Sequence, residues 1–259
     1  MNSASTATLL SQWRAEEGEQ PGGWDFSQLA DRMSTDPPPW DLDAEYRWAL
    51  RGATRVLDMG TGGGEHLLEF TDGLPTDVTA TEGWEPNVLI AQKALEPHGI
   101  RVVAFGASDD DPDADAMPFP DERFDLVLNR HESYGPHEVA RVLASGGVFL
   151  TQQVGSGELA ELHDLTEEAP ADLDVSHERF VREIESAGLT VEAGASSEGF
   201  YRFTDIAALV AYLRCVPWEV PDDFSVDRYA DALLTLHERA AGGPILLRRR
   251  RFWLRARKP

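Results

Sequence analysis

A glycine-rich turn directly after an apolar strand is the strongest candidate for a binding element in this sequence. Val56 and Leu57 lead into Asp58, and glycines follow at positions 60, 62, 63 and 64 before a second apolar stretch. Such glycines let the backbone pass close to a ligand, and an acid at the strand end suits a cationic or hydroxyl-rich one. The spacing D-x-G-x-G-x-G differs from the G-x-G-x-x-G turn that seats a pyrophosphate, which Asp58 would repel. The turn therefore predicts a ligand other than a dinucleotide, or, taken alone, a tight turn without a ligand.

A second acid, Glu82, ends the next predicted strand. An acid about 20 residues beyond a glycine turn conventionally binds the two hydroxyls of an adenosine ribose. Taken alone, an acid in this position is more often a solvated loop acid. Its spacing from the turn, together with the later segments Asp113 to Phe119 and Phe124 to Arg130, favours an adenosine-bearing ligand.

These segments together resemble the class I S-adenosylmethionine-dependent methyltransferases, and the type 11 group in particular. The matching residues are Val56 to Gly64, Glu82, Asp113 to Phe119, Phe124 to Val127 and Glu138 to Gly147. The resemblance is close over roughly residues 50–155 and extends to the rest only in topology. It implies an enzyme with a Rossmann-like α/β fold, a seven-stranded, mostly parallel sheet whose last strand is antiparallel, flanked by helices. It also implies S-adenosylmethionine as cofactor and S-adenosylhomocysteine as product.

The resemblance assigns one group of residues to the methionine end of the cofactor. Asp58 and the turn formed by Gly60, Thr61 and Gly62 would hold the methionine moiety. Asn129, just past the fourth core strand, would meet the amino-acid end.

A second group is assigned to the adenosine end. Glu82 would bind the ribose hydroxyls, and Gly83 and Trp84 would lie beside the adenine, although Trp84 could equally pack within its loop. Asp113 would accept a hydrogen bond from the adenine amino group, and Ala114 would offer its backbone N–H to the ring. Two nearby acids are alternatives to Asp113 at the amino group: Asp109 and Asp110.

The candidate general base lies in the segment after the fourth core strand. Methyl transfer from a sulfonium is an in-line displacement at carbon, so the protein must position the acceptor and, where needed, remove its proton. His131 is the candidate, with Glu132 or Tyr134 to orient it; the alternative is that His131 only packs against substrate or cofactor. The remaining histidines lack ligand spacing, so no metal site is predicted.

The elements that must position these residues follow an alternating pattern. From Thr54 onward, short apolar runs alternate with helical segments, which indicates βαβ units and a mostly parallel sheet. The predicted helices include Glu85 to Leu95 and Ser176 to Ala187, the latter with Ser176 as N-cap. The predicted strands are Arg55 to Met59, Asp77 to Thr81, Arg101 to Phe105, Phe124 to Leu128, Gly147 to Gln152, Leu189 to Ala193 and Ile245 to Arg257.

We expect a single methyltransferase domain in four parts. The parts are an N-terminal helical cap (1–50), a cofactor-binding core (51–195), a helical insertion or lid (196–243) and the final strand (244–259). Thr204 or Asp205 would cap the first insertion helix, and Ser225 the second. The aromatic residues of the insertion could line a moderately apolar acceptor site or form the insertion's own core: Tyr201, Phe203, Tyr212 and Trp218.

The charge balance bears on the acceptor. The net charge of −23 disfavours nucleic acid, because binding to a phosphate backbone draws its affinity from Lys and Arg. A small-molecule acceptor is therefore the leading hypothesis; the alternatives are an RNA or protein methyltransferase, or a cofactor-binding module without catalysis. The basic segment Arg248 to Lys258 is interpreted as an edge strand protected by its charges, with a nucleic-acid patch as the alternative.

The remaining features indicate a cytoplasmic protein. No basic leader, lipidation pattern or membrane-length apolar run is present, so no membrane association is expected. The single cysteine, Cys215, excludes an intramolecular disulfide. The pattern does not determine the acceptor atom or the oligomeric state.

Overall fold

The computed structural model describes residues 3–18, 26–108, 111–166 and 174–259. Its strands form one eight-stranded sheet in the order β1-β7-β8-β6-β5-β2-β3-β4. The strands are β1 (Met33–Thr35), β2 (Arg55–Met59), β3 (Asp77–Glu82), β4 (Arg101–Ala104), β5 (Phe124–Arg130), β6 (Leu143–Val154), β7 (Thr190–Phe203) and β8 (Ile245–Arg257).

The pairing confirms the predicted α/β class. Strands β2 to β6 pair in parallel, whereas β8 pairs antiparallel with β6 and β1 antiparallel with β7. The sheet has one strand more than the seven expected, because the short β1 aligns Met33 with Phe203 and Thr35 with Tyr201. The strand expected at Leu189 to Ala193 also runs further, to Phe203.

Side-chain caps begin several of the helices. Asp41 accepts a hydrogen bond from the N–H of Ala44, Ser176 from that of Arg179, and Asp205 from that of Ala208, so Asp205 rather than Thr204 caps α8. The helices among the described residues are α1 (Ser3–Gly18), α2 (Leu42–Leu50), α3 (Glu65–Leu68), α4 (Glu85–Leu95), α5 (Pro136–Val142), α6 (Ala160–Thr166), α7 (His177–Ser186), α8 (Ile206–Cys215) and α9 (Ala230–Ala240). None of these helices is long and apolar enough to cross a membrane.

The chain divides into two compact units. The larger unit comprises Pro39–Gly155, Asp174–Ser197 and Arg251–Pro259. Its strands are covered on both faces, because successive side chains of a strand point to opposite sides. Val56 and Leu126 pack in one core with α4, while Leu57 and Val127 pack in another with α5. This two-sided packing positions the strand ends that carry the candidate site.

The smaller unit comprises Met1–Pro38, Ser156–Leu173 and Glu198–Arg250. Its core is built around α8, most of whose side chains are buried. Tyr201, Phe203 and Tyr212 are buried in that core and pack against one another, whereas Trp218 is exposed. Three of the four aromatic residues of the predicted insertion therefore belong to an internal core.

The interpretation of Arg248 to Lys258 as an edge strand is wrong. Strand β8 lies between β7 and β6, so its backbone groups face strands on both sides. Its arginines are paired with acids of their own unit, Arg248 with Glu161 and Arg255 with Glu45. Further pairs join Arg250 to Glu198 and Arg257 to Glu192. The charges serve internal ion pairs rather than protection of an edge.

Candidate active site

The turn after β2 combines a buried acid with left-handed backbone. Gly60 and Gly62 have φ values of +64° and +63°, where a side chain would be strained. Asp58 is only 7% exposed, and burial raises the pKa of its carboxyl to about 7, against the opposing effects of the Thr61 side chain and Arg130. A cationic ligand would offset the free-energy cost of ionising Asp58 in this buried position.

Glu82 lies beside this turn and binds to it. Its Oε2 accepts a hydrogen bond from the Gly62 N–H and its Oε1 from the Trp84 N–H, each at 2.8 Å. Burial raises the pKa of Glu82, and these backbone hydrogen bonds partly offset that effect. The structure therefore brings together the two acids and the glycines that the sequence singled out.

The turns after β3 and β4 approach each other at two glycines. A Cβ at Gly83 would lie 2.8 Å from the Gly106 Cα, and a Cβ at Gly106 would lie 2.9 Å from the Gly83 Cα. Real Cβ atoms do not approach backbone so closely, so both positions require glycine. Trp84 follows with 47% of its surface exposed, which leaves part of its side chain accessible to a planar ligand.

Tyr46 of α2 is a candidate site residue that the sequence analysis did not identify. It is fully buried, and its hydroxyl has no hydrogen-bond partner among the described residues. Burial, and secondarily the charge of Asp58, raises the pKa of this hydroxyl. A buried hydroxyl without a partner costs free energy, and a polar ligand atom would remove that cost.

The glycine turn has room for a ligand at Gly62, because a Cβ at this position would have no atom within 4 Å. These features fit a cofactor with a cationic, polar amino-acid end.

His131 is held at the end of β5 by a chain of hydrogen bonds. The Trp40 indole N–H donates to Gln152 Oε1 at 3.0 Å, and Gln152 Nε2 lies 3.2 Å from His131 Nε2. An indole can only donate, so the Gln152 oxygen faces Trp40 and its amide N–H faces His131. His131 Nε2 is therefore the acceptor, which places the ring proton of the neutral form on Nδ1. A backbone hydrogen bond from the His131 N–H to the Gln152 carbonyl, at 2.8 Å, accompanies it.

Part of the chain is similar to a known family of protein domains. Residues 56–147 match the family described as "Methyltransferase domain". Over this segment the chain is similar to methyltransferase domains. Demethylmenaquinone methyltransferase of Thermus thermophilus is 30% identical in an alignment of 138 positions that covers 47% of this chain and 60% of that protein.

Two further proteins are similar to this chain. YcgJ of Bacillus subtilis, named an uncharacterized methyltransferase, is 30% identical over 107 residues, covering 39% of this chain and 40% of that protein. Its crystal structure covers 84% of this chain and 97% of its own at a TM-score of 0.57 and 19% identity. A functionally unknown protein from Deinococcus radiodurans R1 shares the fold over 99% of this chain and 100% of its own, with a TM-score of 0.59 and 15% identity. The chain spans about half the length of the curated relatives it matches.

The segment that the resemblance assigns to the adenine forms hydrogen bonds within the protein in this structure. The Asp113 carboxylate accepts from the His137 backbone N–H at 3.0 Å and lies 2.8 Å from His137 Nδ1. The Ala114 N–H donates to the Asp111 carbonyl at 3.1 Å, so the donor expected for the adenine ring is already engaged. The alternatives Asp109 and Asp110 lie outside the described residues.

The side chain of Asn129, the residue expected to meet the amino-acid end, forms hydrogen bonds within the protein. It is fully buried, and its Oδ1 accepts from Thr151 Oγ1 at 2.9 Å and from Gln153 Nε2 at 2.7 Å. Its Nδ2 donates to the Glu132 carbonyl at 3.1 Å. The side chain thus braces the turn after β5 instead of facing a ligand.

Tyr134 also differs from the role expected for it. Its ring packs edge-on against Phe149 and Phe180 in an apolar core, and its hydroxyl has no hydrogen-bond partner among the described residues. Burial raises the pKa of this hydroxyl well above its usual value. Tyr134 therefore forms no hydrogen bond that could orient His131.

Glu138 and Arg141 form a network that supports the segment before β5. Glu138 accepts from the Met117 N–H at 2.7 Å, and Arg141 donates to the carbonyls of Met117 and Phe119 at 3.1 and 2.8 Å. The Arg141 guanidinium lowers the pKa of Glu138. The E-x-x-R spacing on one helix face was the available sequence signal for this pair.

Proposed function

We propose that this protein is an S-adenosylmethionine-dependent methyltransferase that methylates a small-molecule acceptor. The observation that carries the proposal is the hydrogen bond between Glu82 and Gly62, which joins two acid-bearing strand ends of the recognised domain. Ligands of open α/β sheets bind at the carboxyl ends of the strands, where these residues lie. The acids, the glycine turn and the exposed Trp84 suit a cationic nucleoside better than a phosphorylated one.

The residues of the site divide the binding task. Asp58 and the Tyr46 hydroxyl would hold the polar amino-acid end, and the backbone from Gly60 through Thr61 to Gly62 would lie against it. Glu82 would accept from the ribose hydroxyls, with Gly83 and Trp84 beside the adenine. Bound there, the cofactor supplies a methyl group on a positively charged sulfur. The site acids favour such a charge by Coulomb attraction in a partly buried setting.

The acceptor is proposed to be a small molecule of moderate polarity. A net charge of −23 opposes binding to a phosphate backbone, and arginines of β8 are paired with acids. The Thermus thermophilus relative is named for a demethylmenaquinone substrate, which supports a small acceptor here. His131 is proposed to orient this acceptor rather than to remove its proton. The lone pair on Nε2, which a general base would use, already accepts a hydrogen bond from Gln152.

Calorimetry tests whether the protein binds the cofactor. Wild-type protein should bind both S-adenosylmethionine and S-adenosylhomocysteine, and Asp58→Ala should weaken S-adenosylmethionine binding by about tenfold or more, since a lost charged contact contributes about 1.5–3 kcal/mol. The exposed Asp72→Ala is the matched control and should bind as the wild type does. Absence of binding to the wild type contradicts the proposal.

Turnover then separates the classes of acceptor. Labelled cofactor is incubated with fractionated cell extract, and the label is sorted into metabolites, RNA and protein. The proposal expects label among the metabolites. Label confined to RNA or protein contradicts a small-molecule acceptor, and binding without any transfer indicates a regulatory module.

A further inference from the structure

The side chain of Glu132 lies on the glycine turns of the donor site. A Cβ at Gly60 would lie 2.7 Å from Glu132 Oε2, and a Cβ at Gly106 would lie 3.2 Å from Glu132 Oε1. Gly106 in turn contacts Gly83, so the carboxylate lies between the turn after β2 and the paired turns after β3 and β4. Position 60 therefore requires glycine for two reasons: a Cβ would collide with the Glu132 side chain, and the backbone of Gly60 is left-handed.

Buried hydrogen bonds hold Glu132 in this place. Its carbonyl accepts from Asn129 Nδ2 and from Gln153 Nε2, each at 3.1 Å. Thr151 Oγ1 accepts from the same Gln153 amide at 3.0 Å, so the network is anchored in β6. His131, the preceding residue, adopts a left-handed φ of +65°, a conformation that a non-glycine residue keeps only when its surroundings impose it. The direction of the Glu132 side chain is thus set by the buried interior.

We infer that Glu132 selects the positively charged methyl donor over its neutral product. The inference rests on the proposed function, in which the amino-acid end lies toward Gly60 and the nucleoside end toward Gly83. The sulfur of the cofactor joins these two ends, so a carboxylate between the two sets of turns would lie close to that sulfur. A sulfonium bears a positive charge and a thioether does not. At such short range, one charge outweighs the small change in shape between donor and product.

The two polar residues at the start of this turn have different contacts. His131 is engaged through Nε2 with Gln152, while the Glu132 carboxylate lies against Gly60 and Gly106. Glu132 is therefore a specificity-determining residue of the donor site.

Calorimetry with three ligands tests this inference. The ligands are S-adenosylmethionine, sinefungin, which carries an ammonium near the position of the sulfonium, and S-adenosylhomocysteine. Glu132→Gln keeps the shape of the side chain and removes its charge. We expect it to weaken binding of the two cationic ligands by about tenfold and to leave the neutral product within about twofold. The exposed Glu96→Gln makes the same change of charge in the larger unit and should alter none of the three affinities.

Each other outcome contradicts the inference in a recognisable way. Equal weakening of all three ligands places Glu132 at a group that donor and product share. Tighter binding of all three means that the side chain obstructs the cleft. Unchanged affinities mean that the carboxylate does not reach the ligand. If the wild type binds none of the three, the proposed function fails first, and thermal melts of both variants show whether the fold is intact.

Discussion

The Glu82 carboxylate accepts a hydrogen bond from the Gly62 N–H at 2.8 Å, which ties the acid that ends β3 to the glycine turn after β2. Its second oxygen accepts from the Trp84 N–H. One side chain thereby shapes two turns of the proposed donor site. A substitution that keeps the size of this side chain but changes its hydrogen bonding therefore tests its role in the donor site.

Glu82→Gln should weaken binding of S-adenosylmethionine by about tenfold or more, since an unsatisfied buried group costs about 1–3 kcal/mol. The amide has one accepting oxygen, so the N–H of either Gly62 or Trp84 would face an NH2 donor. Calorimetry measures the change. Glu85→Gln, an exposed acid three residues on, is the control and should bind normally. Equal affinities for Glu82→Gln and wild type would contradict the assignment.

Asp58→Asn should stabilise the protein above pH 7 but not near pH 4. Burial raises the pKa of Asp58 from 3.8 to about 7, so the folded state favours the protonated form. The stability linked to that proton is fully present below pH 3.8 and is lost as the pH rises through 7, by up to about 4 kcal/mol. Thermal melts at pH 4 and pH 8 should show the variant gaining only at pH 8. Exposed Asp72→Asn should show no such difference, and an equal offset at both pH values would contradict the prediction.

Gly83→Ala should destabilise the larger unit and impair cofactor binding. The added Cβ would lie 2.8 Å from the Gly106 Cα, and two backbones cannot separate as a flexible side chain can. Overpacking of this kind costs about 1–3 kcal/mol. Urea unfolding measures the loss. Gly52→Ala is the matched control, because its Cβ would meet nothing within 4 Å; a similar loss there would show that the effect is not local.

The ring of His131 should be the neutral tautomer protonated on Nδ1 at pH 8. Gln152 donates to Nε2 because Trp40 fixes the orientation of its amide. Long-range ¹⁵N–¹H NMR spectra report which ring nitrogen carries the proton. Gln152→Glu replaces the donor by an acceptor and should move the proton to Nε2. Trp40→Phe removes the indole donor and should produce a mixture of tautomers. A wild-type ring protonated on Nε2 would contradict the hydrogen-bond chain.

Much of the secondary structure could be predicted because its signals are local. The bounds of β2, α4 and β8 are those expected, since apolar runs or helical periodicity end there at turn residues. The continuation of β7 to Phe203 was missed. Its residues 196–199 are Ser, Ser, Glu and Gly, a polar run without apolar alternation, and only two of this strand's 14 positions are buried. Pairing with neighbouring strands, rather than local preference, keeps that run extended.

The relative positions of Asp58, the glycine turn and Glu82 could be predicted from their spacing along the chain. The carboxyl ends of adjacent parallel strands meet at one edge of the sheet, so spacing along the chain was enough. Three-dimensional packing, by contrast, sets which side chains face that edge at the end of β5 and just after it. Asn129 turns inward to Thr151 and Gln153, Tyr134 enters an apolar core, and Glu132 reaches the glycines. Such directions depend on hydrogen bonds and packing between residues far apart in the chain, which no local pattern encodes.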